Sequence, residues 1–177
     1  MNKSHHEPAL QEAGQQDAQQ YLTFLLGRET FAIGISGIRE IIEFGGMTSV
    51  PLMPPFLRGV LNLRGAVVPV VDISVRFGRE ETPIGPQTCV VILEVAHEGE
   101  IQYVGVLVDS VNEVVEIAAE DIEPPPSFGS MLRPEFIQGM GKVNGQFVVL
   151  LSVDYVLSID EMAQISHVAE SSEPAHE

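Results

Sequence analysis

The run Phe56-Leu57-Arg58-Gly59-Val60-Leu61-Asn62-Leu63-Arg64-Gly65-Ala66-Val67-Val68-Pro69-Val70-Val71-Asp72 limits what this chain can fold into more than any other stretch. Two apolar, strand-forming segments flank the tetrad Asn62-Leu63-Arg64-Gly65, a pattern that predicts a β-hairpin with Gly65 at positive φ in the turn. Arg64 then sits at the tip. A guanidinium there is either a solvated turn residue or a docking charge. Glu40, in Ile38-Arg39-Glu40-Ile41-Ile42, is the other charge set into a strongly apolar segment, and its carboxylate could hold Arg64 in a bidentate pair.

The rest of the chain reads as short strands separated by turn signals. Tyr21-Leu22-Thr23-Phe24-Leu25-Leu26, a turn at Gly27-Arg28-Glu29-Thr30 and Phe31-Ala32-Ile33-Gly34-Ile35 form a first hairpin. Ser36 to Glu43 reads as a helical turn running into strand. Val50-Pro51-Leu52-Met53-Pro54-Pro55 excludes helix interior and central strand and reads as an extended connector. Pro69, inside a strand run, predicts an edge strand or a bulge. Asp72 and Gly78 bracket one helical turn as N-cap and C-cap. Arg79 to Gln87 is a polar link and the best internal boundary.

Beyond it, strands are expected at Thr88 to Val95, Ile101 to Val108, Val111 to Ile117 and around Phe136 to Met140. Asn144-Gly145 makes the strongest hairpin turn of the chain, leading into Phe147-Val148-Val149-Leu150-Leu151. Pro124 to Pro134 is expected as a long irregular loop, and Asp154 as the cap of a final helix from Tyr155 to about Ala163. Strands at such spacing predict an all-β barrel architecture. A faint echo supports two barrels, since Val70-Val71-Asp72, Leu107-Val108-Asp109 and Ser152-Val153-Asp154 each end an apolar run on aspartate.

Composition narrows the function. With 25 acidic against 9 basic side chains, a formal charge of -16 repels phosphate backbones and anionic membranes, so neither nucleic acid nor direct membrane insertion is expected. Residues 1–18 and the acidic segment 163–177 are expected to be disordered tails around one globular unit, and no apolar leader or span is found, which predicts a cytoplasmic protein. Cys89 is alone and reads as a small buried thiol. No Walker loop, Gly-x-Ser-x-Gly, His-Glu-x-x-His or paired cysteine is present. Asp72 with Glu40 could be imagined as a catalytic pair, but capping and ion pairing account for both. No catalytic residue, metal or cofactor is assigned, and a protein-binding module is the remaining class.

Gly59-Val60-Leu61-Asn62-Leu63-Arg64-Gly65 followed by Val68-Pro69-Val70-Val71-Asp72 resembles the signature of CheW-like chemotaxis coupling proteins. Phe31-Ala32-Ile33, Ile38-Arg39-Glu40-Ile41 and Gly105-Val106-Leu107-Val108-Asp109-Ser110-Val111 extend the resemblance over about residues 20 to 160. It implies two interleaved SH3-like five-stranded barrels with short helical turns and a C-terminal helix, one from about 19–33 plus 86–162 and the other from about 34–85. It also implies a non-catalytic scaffold at membrane receptor arrays, joining the cytoplasmic tips of chemoreceptors to a histidine kinase through the kinase's regulatory domain of the same fold. A non-flagellar chemosensory pathway such as surface motility is the alternative setting. The family's receptor-contact positions fall on Ile38, Gly59 and Arg64, with Glu40 as the partner of Arg64, beside a groove between barrels. Ile38 stands where Val is commoner, and no motif marks the kinase contact.

Overall fold

The computed structural model describes residues 18–125 and 133–158. Its strands are β1 (Ala18–Leu26), β2 (Glu29–Gly34), β3 (Ile38–Glu43), β4 (Leu57–Leu63), β5 (Ala66–Asp72), β6 (Cys89–His97), β7 (Glu100–Val108), β8 (Ser110–Ala118), β9 (Ile122–Glu123), β10 (Ile137–Val143) and β11 (Gln146–Leu151). Among the described residues helix is confined to single turns, α1 (Ile73–Arg76) and α2 (Val153–Val156), and to 3-10 turns at Ile35–Gly37, Ala119–Asp121 and Pro134–Phe136. The all-β class and the helical turn running into β3 are as the residue pattern predicts.

The strands form a six-stranded sheet in the order β8-β1-β2-β11-β10-β9 and a five-stranded sheet in the order β3-β6-β7-β5-β4. The chain starts the first sheet, leaves it to build the whole second sheet, and returns. This differs from the expected division, because β6 and β7 pair with β3 and β5 and so belong with the 34–85 region rather than with the later strands. The polar link 79–87 therefore lies within one sheet's chain path and does not separate two units. The β6–β7 hairpin joins β5 through a parallel ladder, Val70 to Gly105, Val71 to Val106 and Asp72 to Leu107. A parallel partner needs a crossover, and α1, the link and β6 supply it.

Several strands are buried on both faces, which explains their unbroken apolar runs. In β6, Val91, Leu93 and Val95 face a core shared with Leu22, Phe24, Leu26 and Phe31 of the first sheet. Val90 and Ile92, one residue out of phase, face a core private to the second sheet with Leu61, Val68, Val70 and Leu107. The first sheet has its own private core of Tyr21, Ala32, Ile117, Val148 and Leu150. Each sheet thus wraps a small cluster, and the largest cluster lies between the two.

The faint aspartate echo is the surface of a deeper repetition. β4, β5 and α1 recur as β10, β11 and α2 exactly in step, so that Phe56, Gly59, Gly65 and Val71 have Phe136, Gly139, Gly145 and Leu151 at the same offset of 80 residues. Both hairpins shift register at their start, between Leu57 and Gly59 and between Ile137 and Gly139. Both close with a backbone bond to the leading phenylalanine, Asp72 N–H to the Phe56 carbonyl (2.7 Å) and Ser152 N–H to that of Phe136 (2.8 Å). The guanidinium of Arg76 lies over both rings, 5.5 Å from Phe56 and 5.0 Å from Phe136, and so ties the two halves together.

Other expectations shift in detail. Pro69 is on neither edge, since β5 lies between β7 and β4. It is tolerated because the ladder to β7 runs from Val70 onward, so the missing N–H falls just before it. The register shift is on the partner strand, near Gly59. Helix α2 begins at Val153 with Ser152 as its N-cap, and Asp154 lies in its first turn instead of capping it. The remainder of the predicted final helix, residues 1–17 and 163–177 of the predicted tails and residues 126–132 of the predicted loop lie outside the described residues, while Ala18 opens β1. Cys89 is half-buried at the start of β6, its thiol donating to the Gln87 carbonyl (3.4 Å).

Candidate functional site

At the tip of the β4–β5 hairpin both turn residues have positive φ, Arg64 at 53° and Gly65 at 91°. This is the two-residue turn whose twist matches that of paired strands. The residue pattern pointed to Gly65 alone. An arginine in the left-handed region costs on the order of 1 kcal/mol or more, and the equivalent hairpin avoids most of that cost with Asn144 (φ 52°) ahead of Gly145.

From this tip Arg64 Nη2 donates to Glu40 Oε1 on β3. The two charges that the apolar pattern singled out are in contact, through one nitrogen and one oxygen rather than a bidentate fork. β3 and β4 stand at opposite ends of the second sheet, so the pair links the hairpin at one end to the strand at the other. Glu40 raises the Arg64 pKa, first by hydrogen bonding and then by its charge, so the cation is never lost. The Arg64 side chain remains 68% exposed, against 28% for Glu40. A cation held on one side by a carboxylate and open on the other keeps most of its five N–H donors for a partner.

Gly59 has a packing role within the fold. It is buried, and a Cβ at this position would lie 2.5 Å from the Thr48 carbonyl oxygen and 3.1 Å from Met47 Cγ. The segment after β3 crosses here and exchanges two backbone hydrogen bonds with Val60, Thr48 N–H to Val60 O and Val60 N–H to Thr48 O, each 2.9 Å. Gly139 does the same in the other half, where a Cβ would meet Ile122 Cγ2 at 2.6 Å and the Glu123 carbonyl at 3.1 Å. The close backbone approach that Gly59 permits is made by its own chain. Ile38, the first residue of β3, is half-buried, pairs with Leu93 and packs against the shared core.

A second polar cluster escaped the residue pattern. Asp72 is fully buried, and its carboxylate accepts from Ser74 N–H (3.1 Å) and Thr82 Oγ1 (2.8 Å) on one oxygen, and from Thr82 N–H (2.8 Å) and Arg58 Nη1 (2.6 Å) on the other. The N-cap of α1 was legible. The contributions of Arg58 and Thr82 were not, though Arg58 is a charge inside an apolar strand, the kind of residue that must find a partner. Four donors occupy the four acceptor positions of the carboxylate, so Asp72 fastens the 79–87 link to β4 and has no free lone pair for chemistry.

An opening between the sheets, about 390 Å³, is lined by Tyr21, Gly34, Ser36, Gly37, Leu93, Glu94 and Gln138 among others, and by none of Ile38, Glu40, Gly59 or Arg64. The arginine pair and the inter-sheet groove are therefore separate features of the surface. Among the described residues no group of three or more His, Cys, Asp or Glu side chains is arranged to hold a metal ion, and no helix is long and apolar enough to cross a membrane.

A family model described as "CheW-like domain" matches residues 20–161. The "Chemotaxis protein CheW" of Klebsiella aerogenes is 34% identical over 159 residues, covering 90% of this chain and 93% of that protein. "Protein FrzA" of Myxococcus xanthus is 32% identical over 128 residues, covering 72% of this chain and 76% of that one. Among solved structures, that of the "scaffolding protein TtCheW from Thermoanaerobacter tengcongensis" superposes with a TM-score of 0.69 at 28% identity, covering 78% of this chain and 86% of that one. With the fold, the hairpin signature and these likenesses in agreement, the chain belongs to the CheW-like family and is a scaffold protein of chemotaxis signalling.

Proposed function

We propose that this protein works without catalysis, in the cytoplasm, as the link between the cytoplasmic tips of chemoreceptors and a chemotaxis histidine kinase, whose regulatory domain of the same fold it binds. The observation that carries this reading is the exposed Arg64, held in a left-handed turn where its counterpart is asparagine and aimed by Glu40. A costly backbone conformation that another residue would relieve is a mark of function. The receptor helix lays an apolar stripe against the surface beside this hairpin, and the free donors of Arg64 set its register. Ile38 and Glu40 belong to the contact surface. Gly59 supports it from below, by letting the 47–48 segment cross β4. The occupied carboxylate of Asp72 fits a protein that binds and does not react.

A pull-down from lysate with the full chain tests the proposal. It should return a receptor and a histidine kinase together, and Arg64→Ala should lose the receptor while keeping its melting temperature. Retention of the receptor by Arg64→Ala would refute the assignment. The likeness to a protein named FrzA, outside the CheW name, favours as a second reading a coupling protein of a non-flagellar chemosensory pathway such as surface motility. Which motility a deletion strain loses, swimming or surface spreading, separates the two.

A further inference from the structure

Asn62 is exposed, lies two residues before Arg64, and takes no part in the core. Its Oδ1 accepts a hydrogen bond from the Gly65 N–H at 2.9 Å. In a two-residue turn of this type the strands bond to each other across the turn, and the N–H of the second turn residue has no strand partner of its own. In the equivalent hairpin the position of Asn62 is Lys142, whose ammonium has donors only and cannot accept such a bond. That hairpin carries Asn144-Gly145, the pair that adopts the conformation most readily. The hairpin whose turn residue resists positive φ is thus the one with an added side-chain clasp.

We infer that Asn62 is a positioning residue for Arg64: its side-chain amide holds the turn in the left-handed conformation that delivers the guanidinium to Glu40 and presents its remaining donors. Asn62 touches no partner on this account and acts only through Arg64. The inference rests on the proposed role of Arg64 for its binding consequence, and stands independently of that role for its effect on the turn.

The test is a double-mutant cycle on the full chain with two readouts. The first is exchange of the Gly65 amide, with the Arg64 side-chain resonances, in the free protein. The second is affinity for a chemoreceptor cytoplasmic fragment. Asn62→Leu should speed Gly65 exchange and weaken binding by about threefold to tenfold, the effect of losing one ordinary hydrogen bond. Asn62→Asp, which keeps the acceptor, should restore slow exchange. In an Arg64→Asn background, where the turn closes unaided, Asn62→Leu should change binding by less than about twofold. Unchanged Gly65 exchange in Asn62→Leu would overturn the inference, as would an equal binding loss in both backgrounds. If Arg64→Asn alone leaves receptor affinity intact, the proposed function falls, while the exchange readout still decides the role of Asn62.

Discussion

At Arg64 the backbone opposes the side chain, and this opposition yields a prediction. Arg64→Asn should relieve the left-handed strain and raise stability by about 0.5–1 kcal/mol in urea unfolding, while receptor-dependent kinase activation falls. A variant both less stable and inactive would make the arginine structural. Gly59 behaves in the opposite way: Gly59→Ala places a methyl group against the Thr48 carbonyl, a backbone atom that cannot swing aside. A loss of about 2–3 kcal/mol is expected, with binding lost only as the fold is lost. Cys89 supplies a pH test. Burial, and then the nearby charge of Glu43, raise its pKa, so the folded state disfavours the thiolate. The stability held by the neutral thiol is therefore complete below the unfolded value of about 8.5 and is lost as pH rises through the higher folded value. Ellman's reagent should react more slowly than with a free thiol at pH 8, and faster reaction would contradict the burial. Of these residues, Arg64 and Glu40 were legible because each interrupts an apolar run. The self-contact of Gly59 was not, because nothing local to it announces that residues 47–48 return across β4.

Among the elements, the β4–β5 hairpin is fixed at both ends, by the turn at Arg64-Gly65 and by the buried carboxylate of Asp72. Removing that charge should be severe. Asp72→Asn leaves Arg58, whose side chain is only 16% exposed, with no carboxylate but the exposed Glu81 at 3.8 Å. A loss of about 3–5 kcal/mol is expected, together with faster amide exchange along the 79–87 link that Thr82 anchors. A loss below about 1 kcal/mol would show that the cluster is ornamental. Hairpins and caps were readable from the residues because Asn-Gly, Arg-Gly and Asp-x-Ser act over three or four positions. Sheet membership was not. The β6–β7 hairpin reads the same whichever sheet receives it, and the choice is made by the parallel ladder from Val70 to Gly105, where a side chain in place of Gly105 would strike Val90 Cγ1 at 2.7 Å. Pro69 misled for a related reason, since proline argues against a central strand only where its N–H would be used.

In the molecule as a whole, the two private cores are small and the shared one is large, so neither sheet can lose the other without exposing Phe24, Phe31, Val91 and Leu93. Heat or urea should therefore unfold the protein in one transition, followed by far-ultraviolet circular dichroism because the chain has no tryptophan. Two resolved transitions would mean that the halves are independent. The repetition of β4-β5-α1 as β10-β11-α2 was nearly silent in the residues, because it preserves shape, the glycine at each crossing and the phenylalanine under Arg76, while exchanging most other side chains. Where it departs from symmetry it matters most. Two matching fingers differ at the residue that ends them, an arginine paired with Glu40 in one and an asparagine in the other, so a neighbour that reads the tips by hydrogen bonding meets two unlike ends on one molecule.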